Sequence, residues 1–207
     1  MRFAFSSPWM SLDVHRLTLL CHAAAARTQP VTFPEDRPLD EDVRSQLPQG
    51  GTRFSKAGRC LTSPLLRARQ TAEGLGLVAE EEDALRDLHL GRWEGRALHD
   101  IHAAEPEAVA AWLSDPEAAP HGGESRAALR VRISDWLGVQ VGTRGHTLCV
   151  THAAVIRAAV LLMLDAPADA FFRLDVEPLS LTEISHDGRR WALRSLNVPW
   201  KAWASSV

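Results

Sequence analysis

Hydrophobic positions fall into two kinds of segment along this chain. The first is the short unbroken apolar run. "RLTLLC" over residues 16–21 is apolar after Arg16, and a second run over residues 146–151, "HTLCVT", repeats the design. Such runs, lacking polar alternation, predict strands buried on both faces. The second kind recurs at helical spacing, over roughly residues 96–114, over about 123–138 and in the apolar stretch after His152. A further short strand is expected to end near Ser63, with a helix starting around Pro64, a favourable first-turn residue, and closing at Gly74 or Gly76. Asp40 is placed to cap a short helix over residues 41–47. Towards the C-terminus, "SLTEIS" and "RWALRSL" alternate and are separated by "HDGR", a hairpin signal. Strands alternating with helices imply an α/β fold, a three-layer α/β/α sandwich with a mostly parallel central sheet. The domain is expected over residues 16–200, with 1–15 a dispensable extension (Met10 is an alternative start) and 201–207 a tail.

The chain has 207 residues, 45% hydrophobic and 24% charged, which suits one domain with a sizeable core. A formal net charge of -3 argues against nucleic-acid or membrane binding. The N-terminal segment is broken by Pro8, Asp13, His15 and Arg16 and makes a poor signal peptide. The three cysteines, Cys21, Cys60 and Cys149, form no paired motif, so a reducing, cytoplasmic setting is expected. Lys56 and Lys201 are the only lysines; the remaining positive charge is arginine, the residue suited to bidentate phosphate recognition.

In parallel sheets, ligands bind beyond the carboxyl ends of the strands. His22, Ser63 and His152 each end a predicted strand, so all three are expected to face one crevice. Two imidazoles with an arginine-bearing helix between them in sequence suit phosphoryl transfer through a phosphohistidine: neutral imidazole is a competent nucleophile near pH 7, and a guanidinium stabilises phosphoryl charge. A cysteine phosphatase is the rival reading, because Cys21 and Arg27 stand at Cys-x5-Arg spacing. "CHAAAAR" holds no glycine for a phosphate-cradling loop, however, and leaves Arg67 and His152 without a task. A metal site from Cys21, His22, Cys149 and His152 is not expected, since Cys149 and His152 lie three apart on one strand and face opposite ways.

The segments "SPLLRARQTAE" (63–73), "LRDLHLGRWEG" (85–95), "GGES" (122–125) and "CVTHAAVIR" (149–157) together resemble the histidine phosphatase superfamily, also called phosphoglycerate mutase-like, in order and spacing over roughly residues 16–200. The resemblance implies a phosphomonoester hydrolase acting on a small phosphorylated metabolite, without cofactor or metal. It implies His22 as the phosphorylated nucleophile, Arg67 as phosphate clamp, His152 as the second pocket histidine and Asp87 as general acid, with Glu94, Trp93, Gly91 and Gly95 structural. Cys21 and Ala23 stand where the family carries arginine and glycine, and Ala153 where it carries a late glycine. Arg27 is therefore expected to swing into the pocket, giving a phosphate-binding set of Arg67, His152, Arg27 and Cys21. The alternative is a catalytically weak pseudo-phosphatase that binds a phospholigand or partner. The expected partner is the small metabolite, with no nucleic acid and no membrane; a homodimer stays open.

Overall fold

The computed structural model describes residues 14–25, 30–47 and 57–200. Six strands form one sheet in the order β3-β2-β4-β1-β5-β6: β1 (His15–Cys21), β2 (Arg59–Thr62), β3 (Glu80–Glu81), β4 (Gly145–Thr151), β5 (Ser180–His186) and β6 (Trp191–Pro199). The pairings β1–β4, β2–β4 and β2–β3 are parallel, whereas β5 runs antiparallel to both β1 and β6. The sheet is thus mostly parallel, and its antiparallel part is the expected C-terminal hairpin.

Helices cover both faces. Alternate residues of β1 show why the apolar run is continuous: Leu17, Leu19 and Cys21 enter the core containing Ile133, Val155 and Ile156, while Leu20 joins Ala68, Ala72 and Leu75 on the other side. The first core receives α5 (Arg126–Gln140) and α6 (Ala153–Met163), and the second receives α2 (Leu66–Gly74). This is the expected three-layer sandwich.

Several boundaries differ from the expected ones, each for a local reason. Strand β1 begins at His15, one residue inside the expected extension, because the His15 ring is buried against the Gln140 carbonyl and the Thr147 hydroxyl. Residues 1–13 of that extension and the tail 201–207 lie outside the described residues. Helix α1 (Glu41–Ser45) is capped by Asp40 as expected. Helix α2 starts at Leu66, not at Pro64, because the Asp36 carboxylate reaches across from another loop to accept the Leu66 N–H at 2.8 Å. The helical pattern over 96–114 is two helices, α3 (Leu98–Ala104) and α4 (Pro106–Ser114). Pro106 has no N–H to donate into a continuing helix and so begins a new one.

The "GRWEG" and "GGES" segments cross backbone to backbone. A side chain at Gly91 would meet the His121 carbonyl at 2.3 Å, and one at Gly123 the His89 carbonyl at 2.1 Å. Gly91 also adopts φ of 50°, the left-handed region. The turn buries Trp93 completely, with Phe33 at 5.2 Å and Trp112 at 5.9 Å between ring centroids. Trp93→Ala should therefore cost about 3–5 kcal/mol of stability through the cavity it leaves, read as a lowered midpoint of chemical denaturation. A loss below about 1 kcal/mol would mean that the crossing holds without its central ring.

Candidate active site

Backbone pairing brings the strand-end residues together. Strand β4 lies between β1 and β2, with Cys21 opposite Thr151 and Thr62 opposite Val150. One residue further on, the His22 N–H donates to the Thr151 carbonyl and the Ser63 N–H to the Val150 carbonyl, both at 2.9 Å. His22 and Ser63 are so fixed on either side of His152. The two imidazole centroids lie 5.0 Å apart, and the His152 Nε2 is 2.7 Å from the Ser63 hydroxyl.

The tautomer of His22 follows from its partners. Its Nδ1 is 2.7 Å from the Ala23 carbonyl, which can only accept, so Nδ1 carries the proton. Nε2 is left with a lone pair, and the Arg67 Nε–H donates to it at 3.1 Å. Ala23 is itself anchored, its N–H donating to the Thr71 hydroxyl of α2 at 2.9 Å.

Arg67 is the hub of the site. It is buried at the first turn of α2, donating through Nη1 to the Glu35 carbonyl at 2.9 Å and through Nη2 to Asp87 Oδ2 at 2.5 Å. Asp87 also accepts the Leu88 N–H, and its Oδ2 lies 3.7 Å from His152 Nδ1. That Nδ1 is buried with no hydrogen-bond partner, the only polar atom of the His22–Arg67–Asp87–His152 group left so. His152 is fully buried beneath the cavity floor formed by its chain neighbours Ala153 and Ala154, and its nearest charged group is the Asp87 carboxylate.

Electrostatics set the resting charges. Burial, then Arg67, lowers His22 to about 4 despite the opposing Ala23 hydrogen bond and Asp87. Burial is also the main cause for His152, brought down to about 3 although Asp87 pulls the other way. Burial pushes Asp87 up, but His152, Arg67 and His22 with the Leu88 N–H outweigh it and hold the carboxyl below its usual value. At neutral pH the site therefore holds two neutral imidazoles and an Arg67–Asp87 ion pair.

The depressed imidazoles have a consequence for stability. In the unfolded chain both histidines protonate near pH ~6.5. Between there and about 4 for His22, or about 3 for His152, the unfolded state binds the extra protons. Stability should fall as pH drops through that window and be insensitive to these groups above it. The melting temperature should decline on acidification from pH ~7 to ~4, and less steeply in His22→Asn. Parallel declines in the two proteins would contradict the assigned charge state.

The other expected site residues fare differently. Cys21 packs among core residues and does not border the cavity. Burial, then Asp87, pushes its thiol up to about 12. Its expected place on phosphate is corrected accordingly: a neutral thiol turned into the core offers no charge, and it gives the Cys-x5-Arg reading no thiolate. Arg27 lies outside the described residues. Glu94 accepts the Leu90 N–H at 2.9 Å, a structural task, and Ser125 caps α5. No cluster of metal-ligating side chains occurs among the described residues.

The site opens into a cavity of about 770 Å³ bordered by His22, Arg67, Asp87, Ala153, Ala154 and Arg157, among others. Arg157 was not among the expected residues, although its spacing of four from Ala153 puts the two on one helix face. Arg132 was also missed. It forms a bidentate pair with Glu124 and donates to the Ala84 and Arg86 carbonyls, steadying the segment that presents Asp87. The Thr151 hydroxyl ties down the same segment at the Leu85 carbonyl.

The family model described as "Histidine phosphatase superfamily (branch 1)" matches residues 17–199. Among curated proteins, the glucosyl-3-phosphoglycerate phosphatase of Mycobacterium tuberculosis is 35% identical over 122 residues, covering 52% of this chain and 54% of that protein. A bifunctional protein of the same organism, Rv2228c, is 34% identical over 136 residues, 62% of this chain and 37% of that one. The chain thus spans between about a third and about half the length of these relatives. Among solved structures, one titled mycobacterial hydrolase 1 superposes with a TM-score of 0.75 at 29% identity, covering 90% of this chain and 99% of that one. The native mycobacterial glucosyl-3-phosphoglycerate phosphatase structure gives 0.74 at 28%, covering 89% and 99%.

Proposed function

This chain belongs to the histidine phosphatase superfamily (branch 1), and from that premise we propose that it hydrolyses phosphomonoesters of small metabolites through a phosphohistidine on His22. The observation that carries the reading is the Nε2 lone pair of His22, fixed by the Nδ1–H bond to Ala23 and met by the Arg67 guanidinium. A lone pair held ready beside a cation is what attack on a phosphoryl anion needs.

On substrate binding, Arg67 transfers its donors from His22 and Asp87 to phosphoryl oxygens. The orphaned Nδ1 of His152 takes a further oxygen. Nε2 then forms a bond to phosphorus as the bond from phosphorus to the alcohol oxygen breaks. Asp87 supplies the proton to that oxygen. Its carboxyl is ionised in the empty site; the incoming phosphoryl charge and the loss of Arg67 both raise its pKa, so it takes up that proton from solvent as the substrate binds. The resulting carboxylate next takes a proton from water as the water oxygen attacks phosphorus, releasing inorganic phosphate and restoring His22.

The relatives named as phosphatases support a turnover enzyme over the pseudo-phosphatase alternative. The Cys21 and Ala23 positions mark this chain as a variant at the family's Arg-His-Gly motif. Arg27, five residues after His22 in the sequence, is retained as a proposed phosphate ligand. No helix among the described residues is long and apolar enough to cross a membrane. A panel of metabolite phosphates, screened with wild type and His22→Ala, tests the reading. Phosphate release by wild type alone, with mass shifted by one phosphoryl group on the His22 peptide after rapid quenching, is expected. Equal release by both proteins, or release by neither, would overturn it.

A further inference from the structure

The Arg67–Asp87 ion pair is a wall shared by two cavities. On one side lies the catalytic cavity of about 770 Å³. On the other lies a smaller one of about 100 Å³, bordered by Asp36, Arg86, His89 and Glu94 together with Arg67 and Asp87. A space of that size holds a few water molecules, at ~30 Å³ of liquid each, and falls short of the ~300 Å³ at which metabolite pockets begin. His89 stands between this cavity and bulk water: its side chain is 59% exposed, and its Nε2 lies 3.6 Å from Glu94 Oε1. Glu94 is itself held by the Leu90 N–H, and the His89 carbonyl accepts the Glu124 N–H at 2.7 Å. Ring and backbone of His89 are both anchored.

The proposed reaction asks for two proton movements between Asp87 and solvent in each turnover. Its carboxyl is ionised at rest, so it gains a proton before giving one to the alcohol oxygen. After water has attacked phosphorus, it loses the proton taken from that water. During the first movement the substrate fills the catalytic cavity, and its alcohol half stands between Asp87 and bulk water on that side. The small cavity stays open behind. Among the described residues bordering it, Glu35, Asp36 and Glu94 bring carboxyl groups, and Arg67 and Arg86 bring guanidinium groups that keep their protons. His89 is the one imidazole, the group type that both accepts and gives a proton near neutral pH.

We propose that His89 is a proton-relay residue, passing protons between solvent and Asp87 through water in the small cavity. A proton from bulk water joins one ring nitrogen, and the proton on the other nitrogen passes through the cavity water to the Asp87 carboxylate. The chain runs in reverse when Asp87 is reset. Only N–H and O–H bonds form and break, and the ring ends each turnover neutral. Glu94 orients it. The inference rests on the phosphomonoesterase reading and deepens it at Asp87. His89 acts through Asp87 and touches no reacting atom, so its loss slows the supply of protons without removing the general acid.

The test measures phosphate release by wild type and His89→Asn in dilute, mildly alkaline buffer, where free protons are scarce. The substrate is the alkyl phosphate that wild type hydrolyses fastest. In His89→Asn, kcat should fall about 10-fold, short of the ~10²–10⁴-fold that loss of a general acid costs. Added imidazole should restore the rate in proportion to its concentration and leave wild type unchanged, because a mobile buffer replaces the missing relay. A fall that imidazole does not restore would overturn the proposal, making His89 a strut for the crossing at Gly91; so would no fall. A second measurement needs no turnover. Tungstate mimics phosphate and stays a dianion at neutral pH, so protons taken up on mixing are bound by the protein. With a pH-indicator dye in dilute buffer, wild type should take up a proton and Asp87→Asn should not. His89→Asn should take up the same amount more slowly. If wild type hydrolyses nothing, the phosphatase reading fails while this uptake still decides His89. Slower uptake at full amplitude supports the relay; an unchanged rate, uptake that survives in Asp87→Asn, or none in wild type overturns it.

Discussion

His22→Ala should reduce phosphate release on the order of 10⁴-fold or more and abolish the trapped phosphohistidine. The size of the effect follows from the site. Asp87 is ionised and tied to Arg67, and His152 is neutral and fully buried with its Nε2 against Ser63. Neither stands in for the missing nucleophile, and Cys21 is a buried neutral thiol. Steady-state release and rapid-quench mass spectrometry measure the outcome. A variant retaining a tenth of wild-type activity would place the reaction on another atom and sink the phosphohistidine route.

The second large effect is expected at Arg67. Its guanidinium holds the His22 lone pair, the Glu35 carbonyl and the Asp87 carboxylate at once. Removing it takes away the main charge opposing the phosphoryl oxygens and leaves Asp87 buried without its nearest cation. Arg67→Ala should lower kcat/KM by about 10³-fold or more. The Arg67 charge also holds the His22 imidazole down, so its loss should raise that group and shift the acid limb of the pH–rate profile upward. Arg67→Lys should recover little, because an ammonium cannot span three acceptors in the plane of the guanidinium. Activity near wild type in either variant, with an unmoved acid limb, would remove Arg67 from the chemistry.

Legibility differed from one part of the chain to another. The apolar runs ending at Cys21 and Thr151 announced two buried strands, and the alternating stretches near the C-terminus announced the hairpin. Strand β3 left no such mark: Glu80 and Glu81 are exposed at the edge of the sheet, so burial imposed no apolar pattern on them. The start of α2 was misplaced because its cap comes from Asp36, far away in sequence. In the site, His22, Arg67, Asp87 and His152 stood out as a strand-end or motif pattern. Arg132 and Arg157 did not, since each reaches its post from the side of a helix whose facing cannot be read from one sequence.

The sequence by itself determined the alternation of elements, the buried character of the central strands and which side chains were available for phosphoryl chemistry. Local periodicity and residue type carry that information, because burial and nucleophilicity belong to individual residues. Only the tertiary structure decided which groups share a proton or a charge. The tautomer of His22, the ionised state of Asp87 and the neutrality of Cys21 all depend on neighbours brought within a few ångströms from distant parts of the chain. Those couplings act steeply with distance in a poorly solvated site, and no spacing along the sequence encodes them.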